Sequence, residues 1–330
     1  MNDLSPNQLP LATGQLVMAL KAAAEPTRLR ILLLLASGEL NVKDLTQILG
    51  QSQPRLSRHL KLLVEAGLLE RVREGSWVYF HLSDRTANGR LASLLLAMAD
   101  PDDPIVIRDR ERAATLKRER EAAAQQYFER HASDWDEIRS LHVAEADVEA
   151  AMREALGPAP IEYLVDLGTG TGRTLELFSE NYQRAVGIDV NQAMLAYARS
   201  KIERSGLRNA QVRQGDIYNL TLTPGEADVV VMHQILHYLS DPLRALQEAS
   251  RIMRPGGRLL IVDFAPHELE FLRDNHAHER LGIADDTMAH WLAECGLEPA
   301  MTKHLPPAAE HGGSNNLTVS LWLAHKPHAE

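Results

Sequence analysis

Tyr163-Leu-Val-Asp-Leu-Gly-Thr-Gly-Thr-Gly-Arg173 is the stretch on which the fold turns. Tyr163–Leu167 predicts a strand, the glycine run a loop, and Arg173–Ser179 a helix. Gly168, Gly170 and Gly172 carry no Cβ, so the backbone of such a loop can approach a ligand closely. Asp166 closes the strand beside the loop. A dinucleotide site would space its glycines G-x-G-x-x-G, whereas this loop reads G-x-G-x-G. A second strand, Arg184-Ala-Val-Gly-Ile-Asp189, places Asp189 at its tip, where a carboxylate can accept from both hydroxyls of a ribose. Gln214-Gly-Asp216-Ile217 follows a third strand, and its carboxylate can accept from an exocyclic amine. Asp228-Val-Val-Val-Met232 is a fourth strand, and Arg254-Pro-Gly-Gly leads into a fifth that ends at Asp263.

Working outward, residues 161–325 alternate short β-rich runs with helical ones, which predicts a parallel sheet with crossover helices. From Tyr127 a helix-rich lead-in runs to Gly157-Pro158. The ordered set of motifs resembles the class I S-adenosylmethionine-dependent methyltransferases, most closely over residues 127–265. That resemblance implies a Rossmann-like α/β fold and binding of S-adenosylmethionine or S-adenosylhomocysteine. Carried over by position, it implies Asp166, Gly168, Gly170 and Gly172 around the methionine moiety and ribose, Asp189 on the ribose, and Asp216 with Ile217 on the adenine. Tyr127 and Trp135 stand where related enzymes close the pocket with aromatics, with helix-packing core as the alternative. His233, His237, Tyr238 and Asp263, at the ends of strands four and five, are candidates to line the acceptor side. His276 and His278 follow in Asn275-His-Ala-His-Glu-Arg-Leu-Gly282, and helix caps or surface histidines are the plainer reading. Methyl transfer needs chiefly an aligned nucleophile, so no single residue type certifies it.

Upstream, Gln53-Pro-Arg-Leu-Ser-Arg-His-Leu-Lys-Leu-Leu-Val-Glu-Ala66 predicts a helix whose apolar face is Leu56, Leu60, Leu63 and Val64, stopped by Gly67. A shorter helix, Val42–Leu49, precedes it across Gly50-Gln51-Ser52. The pair makes a helix-turn-helix, whose second helix presents its N-terminal residues to base edges. Those positions are Gln53, Arg55, Ser57, Arg58 and His59. Leu68–Arg73, a turn at Glu74-Gly75-Ser76 and Trp77–Leu82 predict a hairpin wing, with Arg71 and Arg73 placed for phosphate contacts. Together with Glu25-Pro-Thr-Arg-Leu-Arg-Ile-Leu and Glu65-Ala-Gly-Leu-Leu, this stretch is similar to the ArsR/SmtB repressors over residues 15–83. It implies an α+β winged helix-turn-helix that binds double-stranded operator DNA as a homodimer. Thiol-sensing members carry cysteine pairs before the turn, where this chain has Glu39-Leu-Asn-Val-Lys-Asp-Leu45, and Asp84–Met98 lacks histidine. No metal site is therefore expected.

Of the 330 residues, 45% are hydrophobic and 24% charged, the composition of a soluble globular chain of two domains. The net charge of −10 is uneven: residues 1–100 carry 11 basic and 9 acidic groups, the rest 24 and 36. Between residues 53 and 73 there are five Lys/Arg against two Glu, so the expected DNA face is locally basic. A single cysteine, Cys295, excludes an intrachain disulfide, and no signal peptide or membrane-length apolar run is read, so a cytoplasmic chain without membrane contact is expected. The expected domains are a winged helix-turn-helix at 1–100, a helical connector at 101–126 and a methyltransferase-like domain at 127–330. The combination resembles ArsR-type regulators fused to a methyltransferase-like domain, among them S-adenosylhomocysteine-responsive repressors, and the whole reads as a DNA-binding regulator, expected to be a repressor, with an adenosyl-ligand sensor. An active small-molecule methyltransferase carrying a DNA-binding domain is the alternative.

Overall fold

The structure, a computed structural model, describes residues 11–74, 77–83, 87–133, 135, 145–307 and 317–328. It divides into two compact units, Met1–Arg120 and Glu121–Glu330.

The first unit begins with helices α1 (Thr13–Ala23) and α2 (Pro26–Leu35). Pro26 opens α2 because its missing N–H and fixed φ suit a first helical turn, and Glu25 caps it by accepting from Arg28 N at 2.9 Å. Strand β1 (Leu40–Asn41) leads to α3 (Val42–Leu49), Gly50 ends it in the left-handed conformation, and α4 (Gln53–Glu65) follows. Leu56, Leu60 and Leu63 of α4 are fully buried against Ile31, Leu32, Leu45 and Ile48, as their spacing predicts. Strands β2 (Leu69–Glu74) and β3 (Trp77–Leu82) pair antiparallel as the wing, and β1 joins their sheet through β3. The wing's turn at 75–76 lies outside the described residues. Helix α5 (Ala87–Ala97) completes the winged helix-turn-helix.

Helix α6 runs from Pro104 to His131, longer than the connector read from the sequence. No proline or glycine interrupts residues 105–131, so nothing stops the helix at 126. In the first unit it is held by ion pairs and by a hydrogen bond to a helix end. Arg30 Nη2 donates to buried Asp109 Oδ1 at 2.8 Å, and Arg112 Nη1 donates to Ile48 O at 3.0 Å. Arg120 pairs with Asp44, 1% exposed, which also forms a capping box with Asn41 at the start of α3.

The second unit is a seven-stranded sheet. Its strands are β4 (Ile161–Leu167), β5 (Tyr182–Asp189), β6 (Ala210–Gln214), β7 (Ala227–His233), β8 (Met253–Phe264), β9 (Glu298–Leu305) and β10 (Val319–His325). Their order is β6-β5-β4-β7-β8-β10-β9. The strands from β6 to β8 in that order are parallel, as expected of a Rossmann-like α/β fold. The last two depart from an all-parallel sheet: β10 runs antiparallel to both β8 and β9. The sequence between β9 and β10 is rich in Pro and Gly, a composition that favours a turn over the crossover helix a parallel pair would use. Val165, Val229, Val230, Val231, Leu260 and Ile261 have no exposed surface, so the sheet centre is covered on both faces. The helices that cover it include Glu145–Leu156, Gln192–Arg204 and Pro242–Ile252. This packing fixes the carboxyl ends of β4, β5 and β7 on one edge, where open α/β sheets bind ligands.

Candidate functional site

The loop after β4 is pinned from below. Gly168 N and Thr169 N both donate to Ile188 O on β5, at 2.8 and 3.0 Å. Gly168 has φ +74°, and a Cβ there would come within 2.6 Å of the Ile235 side chain, so only glycine fits. Asp166, 1% exposed, accepts from Thr169 Oγ1 at 2.6 Å and holds the loop rather than facing the cavity. Asp189 at the tip of β5 accepts from Gly170 N at 2.9 Å and from Asn191 N at 2.8 Å, one amide on each oxygen. Each oxygen keeps acceptor capacity, enough for a pair of hydroxyls. Burial raises the Asp189 pKa, and the backbone amides of Asn191 and Gly170 offset this only in part.

Above the loop lies a cavity of about 290 Å³, near the lower end of the ~300–1,000 Å³ usual for small-molecule sites. Among the residues read from the sequence, Trp135, Gly168, Gly170, Asp189, Asp216, Ile217 and His233 line it. Asp216 accepts from Tyr218 N at 2.9 Å, which shapes the turn after β6. Gly172 stands outside the lining at φ +82° and starts the helix Arg173–Leu177. Tyr127 is also outside it: its hydroxyl lies 2.8 Å from His276 Nδ1, and its neighbour Phe128 lines the cavity instead. Glu121, Gln125 and Phe128 line it from α6, a stretch whose Arg/Glu-rich sequence reads as solvent-exposed. Gln234, at the end of β7, also lines it and holds φ +53°, a conformation uncommon for a side-chain-bearing residue.

Where the sequence suggests an acceptor side, His237 Nδ1 lies 2.6 Å from Asp263 Oδ1. The same carboxylate accepts from Leu236 N (2.9 Å), His237 N (3.3 Å) and Phe264 N (2.8 Å). His237 is 1% exposed, and its buried Nε2 has no hydrogen-bond partner among the described residues. Neither His237 nor Asp263 is among the cavity's lining residues, whereas Tyr238 is. Burial lifts the Tyr238 phenol well above its ordinary pKa, so it stays neutral. His267, half-buried nearby, has its pKa lowered to about 4 by desolvation. His278 stacks on Phe264 at an interplanar angle of 14°. Among the described residues, no group of three or more His, Cys, Asp or Glu is placed to hold a metal ion.

In the first unit, Gln53, Arg55, Ser57 and Arg58 of α4 are exposed, as are Arg71 and Arg73 of the wing. His59 is turned inward: its side chain is 13% exposed and its Nδ1 lies 3.6 Å from Glu25 Oε2 at the cap of α2. Desolvation lowers its pKa, which Glu25 opposes and Arg28, Arg55 and Arg58 reinforce. The segment where thiol sensors carry cysteines is here the capping box of α3: Asp44 N donates to Asn41 Oδ1 at 3.0 Å and Asn41 N to Asp44 Oδ2 at 3.2 Å. No helix of the described residues is long and apolar enough to cross a membrane.

Comparison with known proteins gives a consistent division. Residues 25–71 match the family model of the bacterial regulatory protein arsR family, and residues 165–261 that of a methyltransferase domain. The arsenical resistance operon repressor of Escherichia coli K12 is 52% identical over 68 residues, 20% of this chain and 58% of the repressor. An uncharacterized 37.1 kDa protein in transposon TN4556 of Streptomyces fradiae is 31% identical over 161 residues, 45% of this chain and 46% of that protein. The uncharacterized methyltransferase YcgJ of Bacillus subtilis is 27% identical over 135 residues, 39% of this chain and 53% of YcgJ. The matches thus span about half the length of these curated relatives. Among solved structures, a chain of the Haloferax volcanii complex between the Trm112 methyltransferase activator and a methyltransferase shares the fold: TM-score 0.51, 22% identity, 61% of this chain and 98% of that one. The chain therefore carries an arsR-family helix-turn-helix over residues 25–71 and a methyltransferase domain over residues 165–261.

Proposed function

We propose that this protein is a transcriptional regulator whose operator affinity is set by S-adenosylmethionine or S-adenosylhomocysteine. The observation that carries this reading is helix α6. In the first unit its Arg112 and Arg120 grip the two ends of α3, the supporting helix of the DNA reader. In the second unit its Glu121, Gln125 and Phe128 line the cavity. A ligand that repositions the end of this helix biases the part that holds α3, and it acts only through differential affinity for the two arrangements. In this reading Gly168, Gly170 and Asp189 hold the ribose and methionine part, and Asp216 with Ile217 holds the adenine. The donor set fits: a carboxylate with acceptor capacity left on both oxygens suits a ribose diol, and the glycine loop leaves room for the chain that follows. The test is a gel shift on DNA recovered by selection with the full chain, repeated at saturating levels of each nucleoside. At least a tenfold change in affinity is expected, ~1.4 kcal/mol of coupling. Indifference to both nucleosides would remove the claim.

The regulator acts as a homodimer. Leu16, Val17 and Leu20 of α1 are exposed, and Leu94 and Met98, on and just after α5, are 64% and 84% exposed. A stripe of this kind on a small domain marks an association face. The double change Leu94→Asp with Met98→Asp is expected to yield monomers in light scattering and to weaken binding to a palindromic site by tenfold or more. Dimers at wild-type affinity would place the interface elsewhere.

A second reading, an active methyltransferase of a small molecule, is favoured by the His237–Asp263 pair, whose His237 ring lies 4.0 Å from that of the cavity-lining Tyr238. When bound, the cofactor would supply an activated methyl group, and the chain would orient the acceptor. Transfer of labelled methyl to cell metabolites, lost in His237→Gln, is the outcome that reading requires.

A further inference from the structure

Asn191 and Ser240 stand outside the cavity lining, yet each ties one side of it to helix α6. Asn191 follows the strand-tip Asp189 and caps the helix Gln192–Arg204: its Oδ1 accepts from Met194 N at 3.1 Å. That acceptor role fixes the orientation of the amide and leaves its nitrogen for α6. There Nδ2 donates to Gln125 O at 3.2 Å and to Gln125 Oε1 at 3.1 Å. The backbone N of the same residue donates to Asp189 Oδ1 at 2.8 Å. Asn191 is 6% exposed, so these bonds count for more than they would in water. The link through Ser240 runs one way from donor to acceptor. Asp241 N donates to the Tyr218 hydroxyl at 3.2 Å, that hydroxyl lies 3.4 Å from Ser240 Oγ, and Ser240 Oγ donates to Glu121 Oε1 at 3.2 Å. Because the Ser240 proton goes to a carboxylate, the tyrosine is the donor in the middle bond. Tyr218 belongs to the turn after β6 that Asp216 shapes. Glu121 and Gln125 are four residues apart, so both links land on one face of α6.

We propose that Asn191 and Ser240 are the regulatory link of this protein: through Gln125 and Glu121 they carry nucleoside occupancy to α6 without lining the site that holds the nucleoside. The inference rests on the nucleoside-responsive regulator proposed above. A ribose on Asp189 shares its carboxylate with Asn191 N, so the position of Asn191, and through it Gln125, depends on whether the site is filled. An adenine beside Asp216 acts in the same way on Tyr218, Ser240 and Glu121. The link transmits only to the extent that filled and empty sites hold these side chains differently. Coupling and binding are then separable, which a side chain in direct contact with the ligand would not allow.

Asn191→Ser tests it. Serine caps a helix about as well as asparagine, so the fold is kept, but it lacks the amide that reaches Gln125. Four affinities are measured on the full chain with S-adenosylmethionine and again with S-adenosylhomocysteine: nucleoside with and without the selected DNA, and DNA with and without nucleoside. In the wild type the nucleoside changes DNA affinity by at least tenfold, ~1.4 kcal/mol, and linkage requires DNA to change nucleoside affinity by the same factor. Asn191→Ser is expected to cut this factor to about threefold or less, while the DNA-free chain binds nucleoside within about threefold of wild type. Ser240→Ala should cut it as well, and the double variant should bring it to about one. An unchanged factor in both folded variants would overturn the proposal. So would a loss of nucleoside affinity as large as the loss of coupling, since that makes Asn191 part of the pocket and not a link from it. A wild type in which neither nucleoside alters DNA affinity would instead bring down the regulator reading, and this inference with it.

Discussion

Asp189→Ala is expected to weaken binding of both nucleosides by at least about 100-fold while leaving the ligand-free affinity for DNA unchanged. Two hydrogen bonds from hydroxyls to a carboxylate contribute ~1.5–3 kcal/mol each, so losing both exceeds the ~2.7 kcal/mol that a hundredfold requires. The same change frees Gly170 N and Asn191 N, which the carboxylate holds at 2.9 and 2.8 Å, so the loop also loses order. Asp189→Asn retains one acceptor oxygen and should lose only about tenfold. The carboxylate also gives the site a pH dependence. Its pKa is raised by burial, so over a window above its ordinary value the folded chain binds a proton that the unfolded chain has released. Ionising Asp189 therefore opposes folding of the empty domain, and this opposition is lifted as pH falls through the folded pKa. Ligand affinity runs the other way, because the protonated carboxyl loses acceptor capacity. Titration calorimetry across that window should show binding weaken on acidification. An Asp189→Ala chain that binds either nucleoside at wild-type strength would take the carboxylate out of the site.

Arg58→Ala should do the reverse: a ten- to hundredfold loss of DNA affinity, ~1–3 kcal/mol, with nucleoside binding intact. Arg58 is exposed on the N-terminal half of α4, the part of a recognition helix that meets the bases. An exposed position of this kind changes fold stability by no more than about 0.5 kcal/mol, so the loss reports on the interface. Anisotropy titrations at one fixed salt concentration measure it, since phosphate contacts make affinity steeply salt-dependent. If Arg58 reads a base, the variant loses sequence preference at one position in each half-site; if it grips phosphate, all sequences weaken alike. Wild-type affinity would mean that α4 does not face DNA. Parallel loss of both activities in either variant would contradict the separation into two units.

Much of this was readable because the deciding features are local. The glycine loop and the strand-tip Asp189 follow from backbone conformation and spacing within some 27 residues, and Leu56, Leu60 and Leu63 follow from helical period. What escaped depends on partners far away in the chain. Phe128, Glu121 and Gln125 enter the cavity because tertiary packing selects that face of α6, and nothing in a charged helical sequence announces it. His59 reads as an outward base-reader until Glu25, at the cap of another helix, draws it in. Gly172 and Asp166 belong to the glycine motif, yet one begins a helix and the other braces Thr169, so the motif contains its own scaffolding as well as its contacts.

The position of β10 has a consequence for how the protein comes into being. Val319–His325 is interior, between β8 and β9, although it follows every other strand of its sheet in the chain. During synthesis the winged unit can be complete while the ligand domain still lacks the strand that joins β8 to β9. A nascent or truncated chain would then hold a DNA reader beside an unfinished ligand domain, because β8, whose neighbour β7 ends at the cavity, would lack its partner strand. Loss of residues 319–325 should accordingly leave an operator-binding fragment deaf to either nucleoside.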